Sequence, residues 1–363
     1  MKRALFSICL LAAPVMAETP FHVTDTATQG NLSDLDRRLS KHRHNNDGST
    51  RLMDALPDTD STYDLGASGR EWAALYVDTA IASVSSGFGY PMNCRLTLQS
   101  GVAIPAAAQA ARTVIYLTPY KGNMITAYDG SKFVSTTFTE ISTNVAGTAA
   151  QMYDLFFTSF STLEQVAWTN DTTRATAISS TTGGLWTKSG DAARIFVGCY
   201  RTTGTPSGQT EDSVERRFLW NCYNRVIRPM RILEATNSWT YSTAAWRQAN
   251  GSTGNQLDFI RGLDEDVVTA IATAAGISSG ASFQVLTVGI GLDSTTAISG
   301  ESGVMDTNSS SRRGGTAHYT ALPGIGRHFL AWLEYGGGAD TQTWYGDNGG
   351  SFIQTGIQGW VAN

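Results

Sequence analysis

The stretch Thr113–Phe133, TVIYLTPYKGNMITAYDGSKF, decides the fold class of the chain. Thr113–Leu117 is rich in β-branched and aromatic residues, which favours a strand. A Lys-Gly-Asn turn then leads into a second strand-like run, Met124–Tyr128. The dipeptide Asp129-Gly130 separates that run from Phe133–Phe138, and Asp-Gly between two such runs is typical of a β-hairpin. The stretch therefore predicts consecutive antiparallel strands.

Short strand-like runs recur along the rest of the chain, with turn residues between them. The first of these runs is Met152–Phe157, in which Tyr153, Leu155 and Phe157 share one face of the strand. The others are Gln165–Trp168, Arg174–Ile178, Leu185–Lys188, Arg194–Tyr200, Phe283–Ile290, His328–Tyr335, Gln342–Tyr345 and Ile357–Val361. Regular short strands predict a mainly β protein whose residues 90–363 form an antiparallel, jelly-roll-like β-sandwich head of one or two subdomains. One helix is predicted at Asp264–Ala275, with acidic residues at its start and Gly276 at its end.

Composition supports this interpretation and argues against nucleic-acid binding. Among 363 residues, 37 are Gly and only 16% are charged, a profile that fits strands and turns better than long charged helices. The formal charge of −5 gives no electrostatic case for nucleic-acid binding. The three cysteines beyond the N-terminus are Cys94, Cys199 and Cys222. Because they show no CxxC spacing, we expect buried free thiols, with a Cys199–Cys222 disulfide as the alternative.

Residues 1–17, MKRALFSICLLAAPVMA, have the pattern of a secretory signal peptide. Lys2 and Arg3 precede an apolar core that is too short to span a bilayer, and Val15–Ala17 resembles a cleavage site. Export is therefore expected if this signal is used, and its removal makes the chain two charges more negative. A buried N-terminal segment is the alternative.

Residues 18–89 are predicted to form an extended stem. Leu32, Leu35 and Leu39 have the spacing of coiled-coil a and d positions, but the run is too short to be stable without partner chains. His42 and His44 would face the same side of a strand, so three chains could bring six imidazoles around one axial metal ion. The alternative is a solvated loop, and no other cofactor is predicted.

The most distinctive part of this stem is Leu56–Val77, LPDTDSTYDLGASGREWAALYV. Its order of Pro-Asp-Thr-Asp, Tyr-Asp-Leu-Gly and a following Trp resembles a short repeat of fibre and spike proteins of tailed bacteriophages. The resemblance implies that Leu65, Trp72 and Tyr76 are buried between chains of a homotrimer. It also implies a virion surface protein, docked on other virion proteins through the stem and attached to a host-surface glycan or protein through the head. Neither nucleic acid nor a membrane span is expected.

Two further segments carry weaker resemblances. Thr113–Phe133 is similar to the start of a β domain in phage tail proteins, and the chain ending around Phe329–Tyr335 and Gly356–Trp360 resembles the last strands of tumour-necrosis-factor-like trimeric jelly rolls. These similarities imply a β-rich head on an oligomeric stem.

An Arg-rich aromatic segment, Arg216–Arg228, has two interpretations. As a binding surface, its exposed aromatic rings would stack on sugars while arginines donate hydrogen bonds. The candidate residues are Trp220, Tyr223, Arg225 and Arg228 in the segment, with Trp239 and Trp246 further along the chain. As a structural element, its arginines would pair with Glu211, Asp212 and Glu215. Alternation then places Phe218, Trp220 and Cys222 in a core, and this structural interpretation is favoured.

No nucleophile elbow, zinc-protease, P-loop or EF-hand motif occurs, so no catalytic residue is predicted. Asp58 and Asp60 could bind calcium, but turn formation explains them better. A polysaccharide-degrading spike remains an alternative, and it would need two carboxylates facing one groove. The candidates are Glu334, Asp340, Glu211, Asp212 and Glu215. A secreted bacterial surface or filament protein is a further alternative, supported by the signal peptide.

Overall fold

A computed structural model describes residues 89–158, 161–181, 183–350 and 352–363. The predictions for the signal peptide, for the stem leucines Leu32, Leu35, Leu39 and Leu65, for Trp72 and Tyr76, and for His42 and His44 lie outside these residues. In the described part of the chain, no helix is long and apolar enough to cross a membrane.

The described residues form 25 β-strands and two short 3₁₀ turns, Ala249–Gly251 and Asn348–Gly350. The first strands in chain order are β1 Cys94–Thr97, β2 Gln109–Arg112, β3 Val114–Pro119, β4 Met124–Tyr128, β5 Phe133–Thr137, β6 Ile141–Asn144, β7 Met152–Thr158, β8 Thr162–Ala167, β9 Ile178–Ser180, β10 Trp186–Lys188, β11 Asp191–Arg201, β12 Thr210–Asp212, β13 Arg216–Arg217 and β14 Leu219–Asn221. The remaining strands are β15 Ile227–Leu233, β16 Ser238–Thr240, β17 Trp246–Gln248, β18 Gln256–Arg261, β19 Val268–Ser278, β20 Gln284–Leu292, β21 Gly303–Thr307, β22 Arg313–Ala321, β23 Gly326–Tyr335, β24 Gln342–Tyr345 and β25 Gly356–Ala362.

These strands form five sheets. The N-terminal half contains a sheet β1-β3-β6, the hairpin β4-β5, and a central sheet β8-β7-β11-β10-β9 in which β14 also pairs with β11. The other two sheets are β2-β12-β13-β18-β23-β20-β21, joined by β17 on β23 and including β2 from the N-terminal half, and β15-β25-β19-β24-β16, joined by β22 on β19. The strand pairs are antiparallel, except that β13 and β18 run parallel. The mainly β, antiparallel architecture that the sequence predicts is therefore confirmed.

Three clusters of buried side chains hold the sheets together. An N-terminal core packs β1, β3 and β4 against one face of the central sheet, through residues such as Leu117 and Leu155. A middle core covers the other face of that sheet with Phe156, Phe196 and Trp220, and Ile260 of β18 also packs there. A C-terminal core lies between the last two large sheets. The central sheet is consequently buried on both faces.

Strand β14 shows this double burial most clearly. Trp220 is fully buried in the middle core, and Leu219 faces the opposite way into the N-terminal core. Asn221 extends the strand pairing through its side chain: its Oδ1 accepts from the Leu96 backbone N–H at 2.6 Å, and its Nδ2 donates to the Leu96 carbonyl at 3.4 Å. This side-chain pairing satisfies backbone groups of β1 that would otherwise be buried without partners.

The hairpin predicted around Asp129-Gly130 is confirmed. β4 and β5 pair in register from Met124 opposite Thr137 to Tyr128 opposite Phe133. The Asp129 carboxylate accepts from the backbone N–H groups of Ser131 and Lys132, which closes the turn. A local signal was enough here because the two strands are neighbours in sequence.

The helix predicted at Asp264–Ala275 is wrong, because β19 spans Val268–Ser278. Burial alternates at every second residue along β19, with Ala270, Ala272 and Ala274 facing the C-terminal core. The run is rich in Thr, Val and Ile, whose branched side chains suit a pleated strand. The acidic residues at 264–266 and Gly276 resemble helix boundaries and misled the prediction, whereas pairing with neighbouring strands decides the conformation.

The strand predicted at Arg174–Ile178 is also wrong for most of its length, since β9 begins only at Ile178. Arg174 instead turns inward and its Nε donates to Asp154 Oδ2 at 2.9 Å, while its Nη2 donates to the Gly262 carbonyl at 2.6 Å. Its guanidinium also lies over the Trp168 ring. A buried ion pair therefore fixes this segment where the sequence pattern indicated strand pairing.

Gly262 faces the Trp220 ring so closely that any side chain would collide with it. A Cβ at Gly262 would come within 2.3 Å of Trp220 Cε3 and 2.4 Å of Cζ3. Because Trp220 is enclosed on all sides, it has no room to move away. We predict that Gly262→Ala lowers the free energy of unfolding by about 1–3 kcal/mol, measured by urea unfolding.

The matched control is Gly147→Ala. A Cβ at Gly147 would meet nothing within 4 Å, so the variant should match wild type to within about 0.5 kcal/mol. Equal stability of the two variants would contradict the packing of Trp220 described here.

Candidate functional site

A groove of about 540 Å³ opens beside β13 and β18, and we call it the charged groove after its four charged side chains. It is lined by charged side chains from four separate segments and by the loop that joins β11 to β12. The lining residues are Ala110, Ala111, Arg201, Thr203, Gly204, Thr205, Pro206, Gln209, Glu211, Arg216, Phe218 and Asp258.

The floor of the charged groove is built by the parallel pair of β13 and β18. Arg216 lies opposite Asp258 in this pair, so the two side chains share one face of the sheet. A tight turn positions Arg216, because the Ser213 hydroxyl accepts from the backbone N–H groups of Glu215 and Arg216 at 3.2 and 3.1 Å. The following residue, Arg217, turns away from the groove and is buried.

The wall of the charged groove is the connection between β11 and β12. Thr203 closes this loop through a backbone hydrogen bond to the Gln209 carbonyl at 2.8 Å. The Thr210 hydroxyl donates to the Arg201 carbonyl at 2.7 Å, and the Arg201 guanidinium lies 5.4 Å from the centre of the Phe218 ring. Phe218 belongs to the middle core, so the wall is anchored to the packed interior.

Every charged side chain that lines the charged groove has a partner of opposite charge. Arg201 binds Asp171 through Nε at 2.9 Å and Nη2 at 3.0 Å. Arg327 binds the groove residue Asp258 through Nε at 2.8 Å and Nη2 at 2.6 Å. These two pairs are bidentate, which is the strongest arrangement for arginine and a carboxylate.

The third pair, Arg216 with Glu211, is looser. Arg216 Nη1 donates to Glu211 Oε2 at 3.3 Å, and the Arg216 side chain is 50% exposed, against 12% for Arg201. A guanidinium carries five N–H donors in a fixed plane. Arg216 is therefore the groove arginine with hydrogen-bonding capacity open to a ligand.

None of the six residues predicted as binding candidates lines the charged groove. Trp220 is fully buried and offers no ring face to a ligand, as the structural interpretation of this segment expects. The Tyr223 hydroxyl accepts from the Trp186 backbone N–H at 2.9 Å, and burial raises the pKa of Tyr223. Arg228 donates to the Pro105 carbonyl at 3.0 Å.

Arginine pairing in this segment follows the sequence prediction only in part. Arg216 pairs with Glu211, and Arg217 pairs with Asp212 at 2.9 Å. Arg228 also reaches Asp212, at 3.5 Å. Arg225 departs from the prediction, because its partners are Glu265 at 2.6 Å and Asp266 at 3.0 Å.

Trp239 and Trp246 are the remaining binding candidates. Trp239 contacts the carboxylate of Glu334, whereas the Trp246 ring packs against the Tyr335 ring, with centroids 5.2 Å apart. Glu334 is fully buried on the inner face of β23, where Val288 and Arg247 are its neighbours across the sheet. Its Oε2 accepts from Trp239 Nε1 at 2.6 Å, and its Oε1 accepts from Arg247 Nε at 2.7 Å.

A second carboxylate, that of Glu234, belongs to the same network of buried hydrogen bonds as Glu334. Asn250 joins the two, since its backbone N–H donates to Glu334 Oε1 at 3.1 Å and its side chain donates to Glu234 Oε2 at 3.3 Å. Asn255 Nδ2 also donates to Glu234 Oε2, at 2.8 Å. Both carboxylates are enclosed and hydrogen-bonded, so this cluster ties strands together and does not present a surface to substrate.

The other carboxylates proposed for catalysis are scattered. Asp340 is exposed in the connection between β23 and β24, away from the enclosed Glu334. Asp212 is held by two arginines, and Glu215 is exposed. Glu211 alone of the five lines the charged groove.

Asp258 and Arg201 were missed by sequence reasoning. Neither belongs to a recognisable motif, and they are separated from Arg216 by 42 and 15 residues of sequence. Only the parallel pairing of β13 with β18 and the pairing of β11 with its neighbours bring them together. An unusual parallel pair leaves no local signal that could have identified the groove.

In the described part of the chain, no group of three or more His, Cys, Asp or Glu residues could hold a metal ion. Cys94, Cys199 and Cys222 are free and buried, in agreement with the expectation of free thiols. Burial raises the pKa of the Cys94 thiol to about 12, which keeps it protonated and unreactive at neutral pH.

Comparison with known proteins identifies no family for the chain. No family model matches the chain, and no curated protein matches it. Among solved structures, a Bacillus thuringiensis Cry1Da tryptic core variant shares 6% identity at a TM-score of 0.18, over 69% of this chain and 48% of that chain. This chain therefore spans about half the length of that match. The structure of infectious bursal disease virus Gx strain shares 11% identity at a TM-score of 0.15, over 76% and 74%. Likenesses at these TM-scores carry no argument about fold or function.

Burial raises the pKa of Glu334 from 4.5 to about 7, against the opposing effects of Trp239, Arg247 and Asn250. Between these two pH values the folded state binds more protons than the unfolded state, so stability falls as pH rises through this window. We predict that the wild type loses on the order of 1–3 kcal/mol relative to Glu334→Gln between pH 5 and pH 8.

Urea unfolding of both proteins at several pH values measures this difference, and other titrating groups cancel because the two chains share them. A stability difference that stays constant, or that grows in favour of the wild type as pH rises, would show that the pKa of Glu334 is not raised.

Proposed function

We propose that this protein is a virion surface structural protein of the fibre or spike type, and that it attaches to a host surface by binding glycan in the charged groove. The observation that carries the proposal is the groove itself: a depression of about 540 Å³ with a half-exposed arginine beside a carboxylate. The resemblance of Leu56–Val77 to phage fibre repeats supplies the virion context.

The chemistry of the groove suits a carbohydrate. Sugar hydroxyls both donate and accept hydrogen bonds, and the groove offers guanidinium donors, carboxylate acceptors and the Gln209 amide within one depression. Its residues belong to paired strands or to a loop fixed by hydrogen bonds. The backbone of such a site is already ordered, so binding costs little backbone freedom.

The assembly expected from the sequence is part of the same proposal. A homotrimer formed through the stem would present three copies of the head, and several weak glycan contacts made at once raise the overall affinity. Localisation in the virion, with export if residues 1–17 act as a signal, and docking on other virion proteins belong to this proposal as well. Light scattering on the purified chain tests it: a monomer at micromolar concentration would overturn the trimer.

Cleavage of a surface polysaccharide is the second candidate, since Glu211 and Asp258 both line the charged groove. Glycosidases use two carboxylates that flank the scissile bond. Asp258, however, accepts hydrogen bonds from Nε and Nη2 of Arg327. This pairing leaves Asp258 poorly placed to act as an acid. Release of reducing ends from host polysaccharide would establish cleavage, and binding without release would exclude it.

Substitution of Arg216 tests the proposed binding site. We predict that Arg216→Ala weakens glycan binding by about tenfold or more, because a hydrogen bond to a charged group contributes roughly 1.5–3 kcal/mol. The measurement is binding of the full chain to an oligosaccharide panel, followed by calorimetry on the strongest binder. The variant should still fold, since a half-exposed ion pair contributes only about 0.2–1 kcal/mol.

Arg313→Ala is the matched control, because Arg313 is an exposed arginine of β22 that does not line the charged groove. It should bind glycan as the wild type does. Equal loss of binding in both variants, or no loss in Arg216→Ala, would show that the groove is not the binding site.

A further inference from the structure

We infer that the charged groove selects neutral saccharides and discriminates against acidic ones. This inference rests on the proposed function and specifies the class of ligand that the same groove takes. It follows from the charge balance of the groove, from the exposure of each charged group, and from the hydrogen bonds that are already made.

The groove is balanced in charge. Two guanidinium groups, Arg201 and Arg216, and two carboxylates, Glu211 and Asp258, line it. Arg201 is neutralised by Asp171 at 2.9 Å, and Asp258 is neutralised by Arg327 at 2.6 Å. Each arginine that lines the charged groove is therefore already paired with a carboxylate, and none offers an unpaired positive charge to an anion.

An acidic ligand would have to disturb that balance. Its carboxylate could reach Arg216 only beside Glu211, whose oxygen lies 3.3 Å from the same guanidinium. Two carboxylates at such short range repel each other, and the Glu211 side chain is only 11% exposed, so water screens the repulsion poorly. Binding would therefore cost either the repulsion or the displacement of Glu211.

A neutral saccharide avoids this cost. One hydroxyl can accept from an open N–H of Arg216 while it donates to a carboxylate oxygen of Glu211, and no charge is added. The loose 3.3 Å geometry of the Arg216–Glu211 pair allows both partners to turn toward such a hydroxyl. In this arrangement Glu211 is a specificity-determining residue, and Arg216 is the principal donor.

The test uses a neutral oligosaccharide that binds the full chain, together with the same oligosaccharide oxidised at C6 to a uronic acid. We expect the oxidised form to bind at least about tenfold more weakly, equivalent to roughly 1.4 kcal/mol. Affinity for the neutral form should change by less than about twofold between 50 and 500 mM NaCl, because no ion pair forms with the ligand.

The variant Glu211→Gln separates the effect of the Glu211 charge from the effect of its shape. It removes the charge and keeps the shape of the side chain, so the gap in affinity between the neutral and oxidised forms should shrink several-fold. Glu215→Gln is the matched control, because Glu215 is an exposed residue of the same turn that does not line the charged groove, and it should leave the gap unchanged.

The possible failures are distinguishable. Tighter binding of the oxidised form, weakened by salt and lost in Arg216→Ala, would overturn the neutral preference while the groove remained the glycan site. The neutral preference would also be overturned if Glu211→Gln left the difference in affinity between the neutral and oxidised forms unchanged. Absence of binding to any oligosaccharide, or binding that does not depend on Arg216, would overturn the proposed function itself.

Discussion

Burial of β14 on both faces is the constraint on which the rest of the structure depends. Trp220 fills the middle core, Leu219 fills the N-terminal core, and Asn221 binds the backbone of Leu96. A strand that is enclosed on both faces cannot shift its register by one residue, because every side chain would move to the wrong core. The tight approach of Gly262 to the indole adds a steric limit. The backbone of Arg216 in the charged groove is held in place by the same packing, since Arg216 lies only four residues before Trp220.

Glu334 provides the comparable constraint in the C-terminal half. A fully buried carboxylate is tolerated only when it is hydrogen-bonded and paired, and Glu334 meets this condition through Trp239, Arg247 and Asn250. Trp239 belongs to β16 and Arg247 belongs to β17, so one side chain joins strands of the two sheets that enclose the C-terminal core. The sequence marked Trp239 and Trp246 as ligand-binding candidates, whereas the structure brings Trp239 inward to a carboxylate.

The sequence predicted what depends on local pattern and missed what depends on distant pairing. The β4-β5 hairpin was predictable because its turn is encoded by Asp129-Gly130, and the inward orientation of Trp220 followed from alternation. Acidic residues at 264–266 and Gly276 suggested a helix between them, because such local signals cannot reveal that neighbouring strands cover both edges of β19. Arg225 was assigned the wrong acidic partners because Glu265 and Asp266 lie 40 and 41 residues further along the chain. The groove escaped prediction entirely, since it needs the parallel pairing of β13 with β18.

The fold assembles the charged groove from distant residues, each held by a hydrogen bond or an ion pair. The most direct test of its role is a crystal structure of the chain in complex with a neutral oligosaccharide. The account predicts that the saccharide lies in the charged groove, with hydroxyls between the Arg216 guanidinium and the Glu211 carboxylate. A saccharide bound on another surface, with Arg216 and Glu211 uncontacted, would contradict it.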